Sequence, residues 1–266
     1  MFEEEEEEEE EEYERDPDES KGAKVWRTVK TVVKCLVFTV IFGVILLLLA
    51  RMFMSSDPAS MKALSVNDRV VEAYNKNGGL RAIAQVSQVI THEKDDEKGY
   101  NYGYFSVTDS VFLPEADQVQ AVFRYNDSTL RHLAEDYDLA EEPDKNLDWY
   151  DVTLRVIIDR TPENKKDNGE TYWDDPDAVR TLRIHPTDVK SATKPLYSYR
   201  RFTFDGVPSV EDETVLAVYV DVYYKGDVDY NKTPYGAMRI YTGGVDLHDY
   251  KLSGKDIKAI KKQLGN

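Results

Sequence analysis

The sequence predicts a mainly β protein, in which one N-terminal transmembrane helix precedes an antiparallel, β-sandwich-like domain with short helices. Two observations predict this architecture. An apolar run over residues 31–54 is long enough to cross a bilayer. Beyond it, apolar and polar residues alternate with period two in several short segments, which is the pattern of strands with one buried and one wet face.

The apolar run contains sixteen residues without a charge, residues 35–50. Crossing a hydrocarbon core of about 30 Å takes about 20 residues. Lys34 and Arg51 are therefore expected near the two interfaces, with their long side chains reaching outward. A cleaved signal peptide is the alternative, but the run is longer than an ordinary signal core and lacks a cleavage motif of small residues. We expect a retained anchor that binds the lipid bilayer.

Basic residues predict the direction of the anchor. They flank its N-terminal end more densely than its C-terminal end: Lys21, Lys24, Arg27, Lys30 and Lys34 against Arg51 and Lys62. Cytoplasmic flanks carry the excess of lysine and arginine, and acidic residues hardly affect the outcome. The N-terminus is therefore expected in the cytoplasm, and residues 55–266 outside it.

The N-terminal tail, residues 1–30, includes ten consecutive glutamates at residues 3–12. Such a low-complexity acidic run repels itself and buries no apolar surface, so we predict a disordered cytoplasmic tail. A basic partner or loosely held divalent cations are one interpretation of it. A solvated tail without a partner is the interpretation that we favour.

Charge and cysteine content exclude several functions. The net charge is −17, of which residues 1–54 carry −7, so the rest of the chain is also acidic. An acidic domain is repelled by nucleic acid, and we expect no nucleic-acid partner. The one cysteine, Cys35, lies in the anchor. The C-terminal domain therefore has no disulfide, zinc–thiolate site or thiol nucleophile, and the lack of disulfides points towards a bacterial cell surface.

Residues 55–79 are predicted to form a linker and a short helix, and residues 80–266 the β domain. The clearest alternation is in residues 118–125, 154–158 and 216–222, where Gln118 and Gln120 fall on the wet face. Weaker strand candidates are residues 80–90, 102–113, 179–185, 196–205 and 236–242. An α/β fold is the alternative, but too few helices separate the strands to cover a parallel sheet.

Three short helices are predicted from their caps. Ser65 and Asp68 suggest a capping box for the first, and Gly78 its end. Ser128 is predicted to cap the second helix. Ser253 and Asp256 suggest a capping box for a C-terminal helix.

Three short runs, residues 124–130, 197–201 and 204–207, are similar to segments of uncharacterised single-pass surface proteins of Gram-positive bacteria. The resemblance implies the same topology, with a short cytoplasmic N-terminus. It implies no function.

The sequence offers no catalytic, cofactor or metal signature. Two runs copy the opening of an EF-hand loop, at Asp144, Asn146 and Asp148 and at Asp227, Asp229 and Asn231. Both lack the glycine and the glutamate that a calcium loop needs further on. Ser191 and Lys194 match S-x-x-K, but Pro195 opposes the helix that this motif requires. The histidines, His92, His132, His185 and His248, have no metal-binding spacing. We therefore expect no catalytic residues, no metal and no cofactor.

Tyrosines form the candidate binding residues. Tyr100, Tyr102 and Tyr104 share one face of a predicted strand, and Tyr219 and Tyr223 share a face of another. Exposed aromatic rows stack on sugars or anchor a protein partner, whereas buried rows serve as cross-strand pairs. We favour the structural interpretation of these rows.

Three functions follow from these observations. The first is a non-enzymatic, membrane-anchored extracytoplasmic domain that binds a protein partner or a surface component, or has a structural role. The second is a cell-wall carbohydrate-binding domain built on the tyrosine rows. The third is a hydrolase assembled from dispersed aspartates and histidines, which predicts a cleft with two or more perturbed carboxyl groups.

Overall fold

The computed structural model describes residues 21–85, 88–89, 105–136, 138, 148–159, 179–212, 214–226, 234–242 and 248–265. The chain divides into two compact units, Met1–Phe53 and Met54–Asn266. The units are described separately below.

The first unit contains most of a long helix, α1, Lys21–Ser55. Within its apolar run, the hydroxyl of Thr39 donates to the carbonyl of Cys35, four residues earlier, so this polar group is satisfied inside the helix. The apolar side chains of α1 are exposed rather than buried in a core. Among the described residues, the stretch Val25–Ser55 is the one helix that is long and apolar enough to cross a membrane.

The second unit is mainly β. Its helices are α2 (Ala59–Lys62), α3 (Asp68–Asn77), α4 (Asp127–Asp136) and α5 (Gly254–Gln263). Its first strands are β1 (Ile83–Gln85), β2 (Gln88–Val89), β3 (Ser106–Leu113), β4 (Gln118–Tyr125), β5 (Tyr150–Asp159) and β6 (Val179–Ile184). The remaining strands in the described ranges are β7 (Asp188–Thr193), β8 (Ser198–Asp205), β9 (Val215–Tyr224), β10 (Gly236–Thr242) and β11 (His248–Asp249).

The strands form two antiparallel sheets. The seven-stranded sheet has the order β11-β1-β3-β4-β8-β7, with β2 paired to β3. The four-stranded sheet has the order β10-β9-β5-β6. Both contain only antiparallel pairs among the described strands, so the predicted β class is confirmed.

One apolar cluster takes side chains from both sheets. Alternate residues of β4, β5 and β9 supply it: Val119, Ala121 and Phe123, then Val152, Leu154 and Val156, then Val218, Val220 and Val222. Apart from Val152, these are apolar positions of the predicted alternation. Leu216, which was predicted on the same face as Val218, packs in a separate cluster with Ala217. Aromatic rings fill one end of the cluster, where the ring centroids of Phe105 and Tyr150 lie 4.4 Å apart.

A buried arginine closes the same end. The Arg200 guanidinium lies 5.0 Å from the ring centroid of Tyr150 and donates to the backbone carbonyl of that residue over 3.2 Å. The Arg200 guanidinium also forms a salt bridge with Asp148. Because β8 carries Arg200 and β5 begins at Tyr150, this cation links the two sheets.

Two of the predicted helix caps are wrong. Asn67, not Ser65, caps α3: its side chain accepts from the Val70 amide over 3.2 Å, and the helix starts at Asp68. Asn126, not Ser128, accepts from the Thr129 amide at the start of α4. In both cases an asparagine two residues from the predicted serine is the cap, because its side-chain oxygen accepts from an amide in the first turn of the helix.

The C-terminal cap is confirmed. Ser253 and Asp256 form a reciprocal capping box at the start of α5. Gly78 ends α3 with a φ of 66°, a left-handed conformation that glycine adopts without strain.

Candidate functional site

The chain that follows α1 lies against the seven-stranded sheet. We call residues 56–67 the docked segment. The docking face is the side of this sheet that presents Gln118, Gln120 and Val122 from β4 and Tyr199, Arg201 and Asp205 from β8. Met61 is buried with Val122 and Tyr199. Leu64 is buried with Val111, Leu113 and Ile260. Met61 and Leu64 are therefore the side chains through which the docked segment joins the apolar core.

Ser65 is held by its backbone and its side chain. Its amide donates to Oε1 of Gln120 over 2.7 Å, and Nε2 of Gln120 donates back to its carbonyl over 2.7 Å. The Ser65 hydroxyl donates to Asp188 over 3.1 Å and accepts from Lys190 Nζ over 3.2 Å. The Gln120 amide thus replaces the backbone of a neighbouring strand, because it offers one donor and one acceptor to the same residue.

Gln120 belongs to a connected chain of amides. Its Nε2 also donates to Oε1 of Gln118 over 2.6 Å, and Nε2 of Gln118 donates to Asp205 over 2.7 Å. Asn67 donates to both Asp205 oxygens over 3.2 Å. The network therefore joins the docked segment, β4, β8 and the first turn of α3. Buried amide networks whose members are satisfied specify one arrangement of the groups that they connect.

Hydrogen bonds determine the ionisation of Asp205. Burial alone would raise its pKa, but the hydrogen bonds from Thr187, Gln118 and Asn67, together with the charge of Arg69, lower it below the usual value. The Thr187 hydroxyl supplies the shortest of these bonds, at 2.6 Å. Asp205 is therefore a carboxylate at neutral pH and accepts from all three donors.

A buried cation holds the start of the docked segment. Arg201 donates to the backbone carbonyls of Ser60, over 3.2 Å, and of Ala63. Burial lowers the pKa of this guanidinium, while the charges of Asp188 and Asp256 act in the opposite direction. Arginine remains protonated despite such a shift, so a charge is kept inside the protein to bind these two carbonyls.

The C-terminal helix contacts the docked segment through a carboxylate. Asp256 Oδ1 accepts from the Leu64 amide over 2.8 Å, while its Oδ2 accepts from the Ser253 amide over 2.9 Å. The Asp256 side chain thus completes the capping box of α5 and also holds the docked segment at Leu64.

The docking begins directly after α1. Lys194, in the turn between β7 and β8, donates to the carbonyl of Ser56 and to its Oγ, the latter over 3.0 Å. Burial and the negative charge of the neighbouring Asp57 raise the pKa of Tyr199 to about 12. Since α1 ends at Ser55, the first docked residue, Ser56, follows it directly in the chain.

The described tyrosines of the predicted rows are not an exposed pair. Tyr223 is 2% exposed, and burial followed by the charge of Asp221 raises its pKa. The ring of half-buried Tyr219 has the Arg155 guanidinium 4.2 Å from its centroid. Tyr100, Tyr102 and Tyr104 lie outside the described residues.

Asp221 is a buried carboxylate on the outward face of the four-stranded sheet. It accepts from Arg155 Nε over 2.7 Å and Nη2 over 3.0 Å, and from Arg183 over 3.3 Å. Although burial acts against it, this pairing raises the pKa of Arg155. The wet face that alternation predicted on β9 thus carries a carboxylate that is 1% exposed.

On the docking face the chain binds to itself. No group of three or more His, Cys, Asp or Glu side chains within the described ranges is placed to hold a metal ion. Ser191 lies on strand β7 and Lys194 contacts Ser56, so this pair has no helical S-x-x-K geometry. Although burial acts in the opposite direction, hydrogen bonds and cations lower the pKa of Asp148, as they do for Asp205. A general acid needs a raised pKa.

Comparisons with known proteins add no family. No family model, no curated protein and no solved structure matches the chain.

Sequence reasoning missed the residues of the docking face. Gln118 and Gln120 alternate with apolar residues on β4, so they were assigned to the wet face, yet Gln120 is 2% exposed. Alternation reports only that two faces differ, and not that the polar face meets water. Two amides at neighbouring positions of one strand face were the available signal, because buried amides pair well with backbone.

We predict that Gln120→Leu destabilises the β domain by roughly 2–5 kcal/mol, because it leaves the buried amide and carbonyl of Ser65 without their partner. Urea unfolding of the full chain in detergent micelles, followed by near-UV circular dichroism, measures the change. Gln263→Leu is the matched control, since that exposed side chain makes one bond, to the Val66 carbonyl over 3.2 Å. Its effect should stay within about 0.5 kcal/mol. Equal effects of the two substitutions would contradict the buried pairing.

Asp205→Asn should destabilise the domain by about 1–2 kcal/mol near pH 7, because an amide accepts at only one of its two positions. The pKa of Asp205 is lower in the folded than in the unfolded chain. Asp205 therefore contributes to the free energy of unfolding above its unfolded pKa of roughly 3.9. This contribution is lost as the pH falls through the pKa of Asp205 in the folded chain. Unfolding measured from neutral to acidic pH should show the wild type and the variant converging in acid. A constant difference at every pH would refute this role of Asp205.

Proposed function

We propose that this chain is a membrane-anchored binding or structural protein without catalytic activity. In this proposal α1 crosses the bilayer with the N-terminus in the cytoplasm. The β domain lies outside, where it binds a protein partner or a surface component. The two sheets are proposed to form the layers of a β-sandwich, which the shared apolar cluster supports.

The attachment of the docked segment carries the proposal. Ser56 is the first residue after α1, and it is bound to Lys194 of the β domain. Met61 and Leu64 are part of the buried clusters, so the segment belongs to the fold. A cleavable signal peptide ends in a cleavage site of small residues, whereas here the short helix α2 and buried side chains follow α1. This supports α1 as a retained anchor.

The charge asymmetry supports the orientation. Five basic residues lie within residues 21–34, whereas Arg51 and Lys62 are the basic residues near the other end. The excess of lysine and arginine belongs on the cytoplasmic side. The resemblance to surface proteins of Gram-positive bacteria agrees with this topology and belongs to the same proposal.

A protein partner is favoured over a glycan by the described tyrosines. Sugar rings stack on an open aromatic face, but Tyr223 is buried and Arg155 occupies one side of the Tyr219 ring. Retention on purified cell-wall polysaccharide, compared between the wild type and Tyr219→Ala, tests the glycan alternative. Retention that the substitution abolishes would replace the protein-partner proposal.

The topology predicts which cysteines a membrane-impermeant maleimide can reach. Cys35 is the one natural cysteine, so Cys35→Ala gives a background without thiols. In that background, Lys258→Cys places a thiol on an exposed position of α5, and Ser20→Cys places one in the tail. In intact cells, Lys258→Cys should be labelled and Ser20→Cys should be labelled only after permeabilisation.

The reverse pattern would show that the orientation is inverted. Labelling of both cysteines without permeabilisation, or recovery of the unmodified chain in the soluble fraction, would contradict the anchor.

A further inference from the structure

In the described part of the β domain, the large apolar side chains that are exposed belong to one hairpin. Among the described residues that follow α1, the exposed large apolar side chains are Val189, 38% exposed, and Leu196, 42% exposed. Val189 lies near the start of β7 and Leu196 in the turn between β7 and β8. We call residues 194–197 the hairpin tip.

Direct contact holds the hairpin tip against Ser56, the residue that follows α1. Lys194 donates to the carbonyl and the Oγ of Ser56, the residue after α1. If the anchor ends at residue 54, Ser56 lies at most about 7 Å along the chain from the hydrocarbon core. The headgroup layer on each side of a bilayer is about 5–8 Å thick. In the proposed topology, the hairpin tip therefore lies within one lysine side chain of the lipid headgroups.

The residues of the tip have the chemistry of a membrane interface. Leu196 and Pro195 are exposed, and the half-buried Tyr197 follows them. The Arg124 guanidinium lies 4.9 Å from the centroid of the Tyr197 ring. Amphipathic aromatic rings and long basic side chains favour the headgroup layer, and an aliphatic side chain favours the boundary beneath it.

The turn is held in shape by its own backbone. The Lys194 amide donates to the Tyr197 carbonyl over 2.8 Å, which closes the tip around Pro195 and Leu196. Leu196 is thus presented by an ordered turn between two paired strands, so that its insertion orders little additional chain.

We propose that the hairpin tip is a second contact of this protein with the lipid bilayer, in which Leu196 enters the headgroup layer on the side where α1 ends. This inference rests on the proposed anchor and deepens it. A domain held by one helix alone can swing about its attachment, whereas a second lipid contact fixes one end of the β domain against the membrane.

Depth-dependent quenching tests the contact on the full chain. In the Cys35→Ala background, Leu196→Cys and Val189→Cys are labelled with the fluorophore nitrobenzoxadiazole. The chains are reconstituted into vesicles of phosphatidylethanolamine and phosphatidylglycerol, with and without a lipid that carries a nitroxide on its headgroup. Val189 is the matched control, because it is an apolar side chain of similar exposure about 15 Å away along the strand.

The fluorophore at position 196 should lose most of its emission to the nitroxide lipid, and the fluorophore at position 189 should keep it. Equal quenching at both positions, or quenching at neither, overturns the hairpin contact while the chain remains in the vesicles. Release of the chain by an alkaline wash contradicts the anchor itself, and with it the hairpin contact. The wash and the quenching therefore separate the two failures.

Discussion

A buried side-chain amide needs both a donor and an acceptor within reach. For Gln120, which lies on β4, the backbone of Ser65 supplies both. The rest of the docking face depends on this constraint. Gln118 accepts the second hydrogen bond that Gln120 donates, and it donates in turn to Asp205. Because these groups are buried, the docked segment takes one register on the sheet. The segment after α1 is thereby part of the β domain, rather than a linker to it.

The two ends of the domain meet on the same face. Asp256 of α5 accepts from the Leu64 amide, and Ile260 of the same helix is buried with Leu64. The C-terminal helix thus covers the docked segment, while Arg201 holds the earlier part of it through two carbonyls.

Period-two alternation predicted the strong strands because their inward faces are uniformly apolar, as at Leu154 and Val156 on β5. It missed the edge strand β7, whose residues are mostly exposed and carry little apolar contrast. The predicted strand over residues 80–90 is divided into β1 and β2, which both pair with β3. Helix positions were found more readily than their caps, since serine and asparagine are about equally good caps and the caps used are Asn67 and Asn126.

The candidate site was harder to predict for a physical reason. Gln120, Arg201 and Asp221 are polar residues on strand faces that are covered, and a single sequence records polarity but not burial. The hydrogen-bond partners of these residues are also far away in the chain. The bonds from Gln120 to Ser65 and from Arg155 to Asp221 each join residues that are 55 or more positions apart. The long apolar helix was predictable because its signal is local: a long uncharged run needs no partner from elsewhere in the chain.

Amide hydrogen exchange at Leu64 and Ser65 tests the docking most directly. In the full chain in detergent micelles, these two amides should exchange as slowly as those of β4 and β8, because Asp256 and Gln120 accept from them in a buried setting. Fast exchange at both, at the rate of an unstructured chain, would show that residues 56–67 form a free linker and would contradict the account.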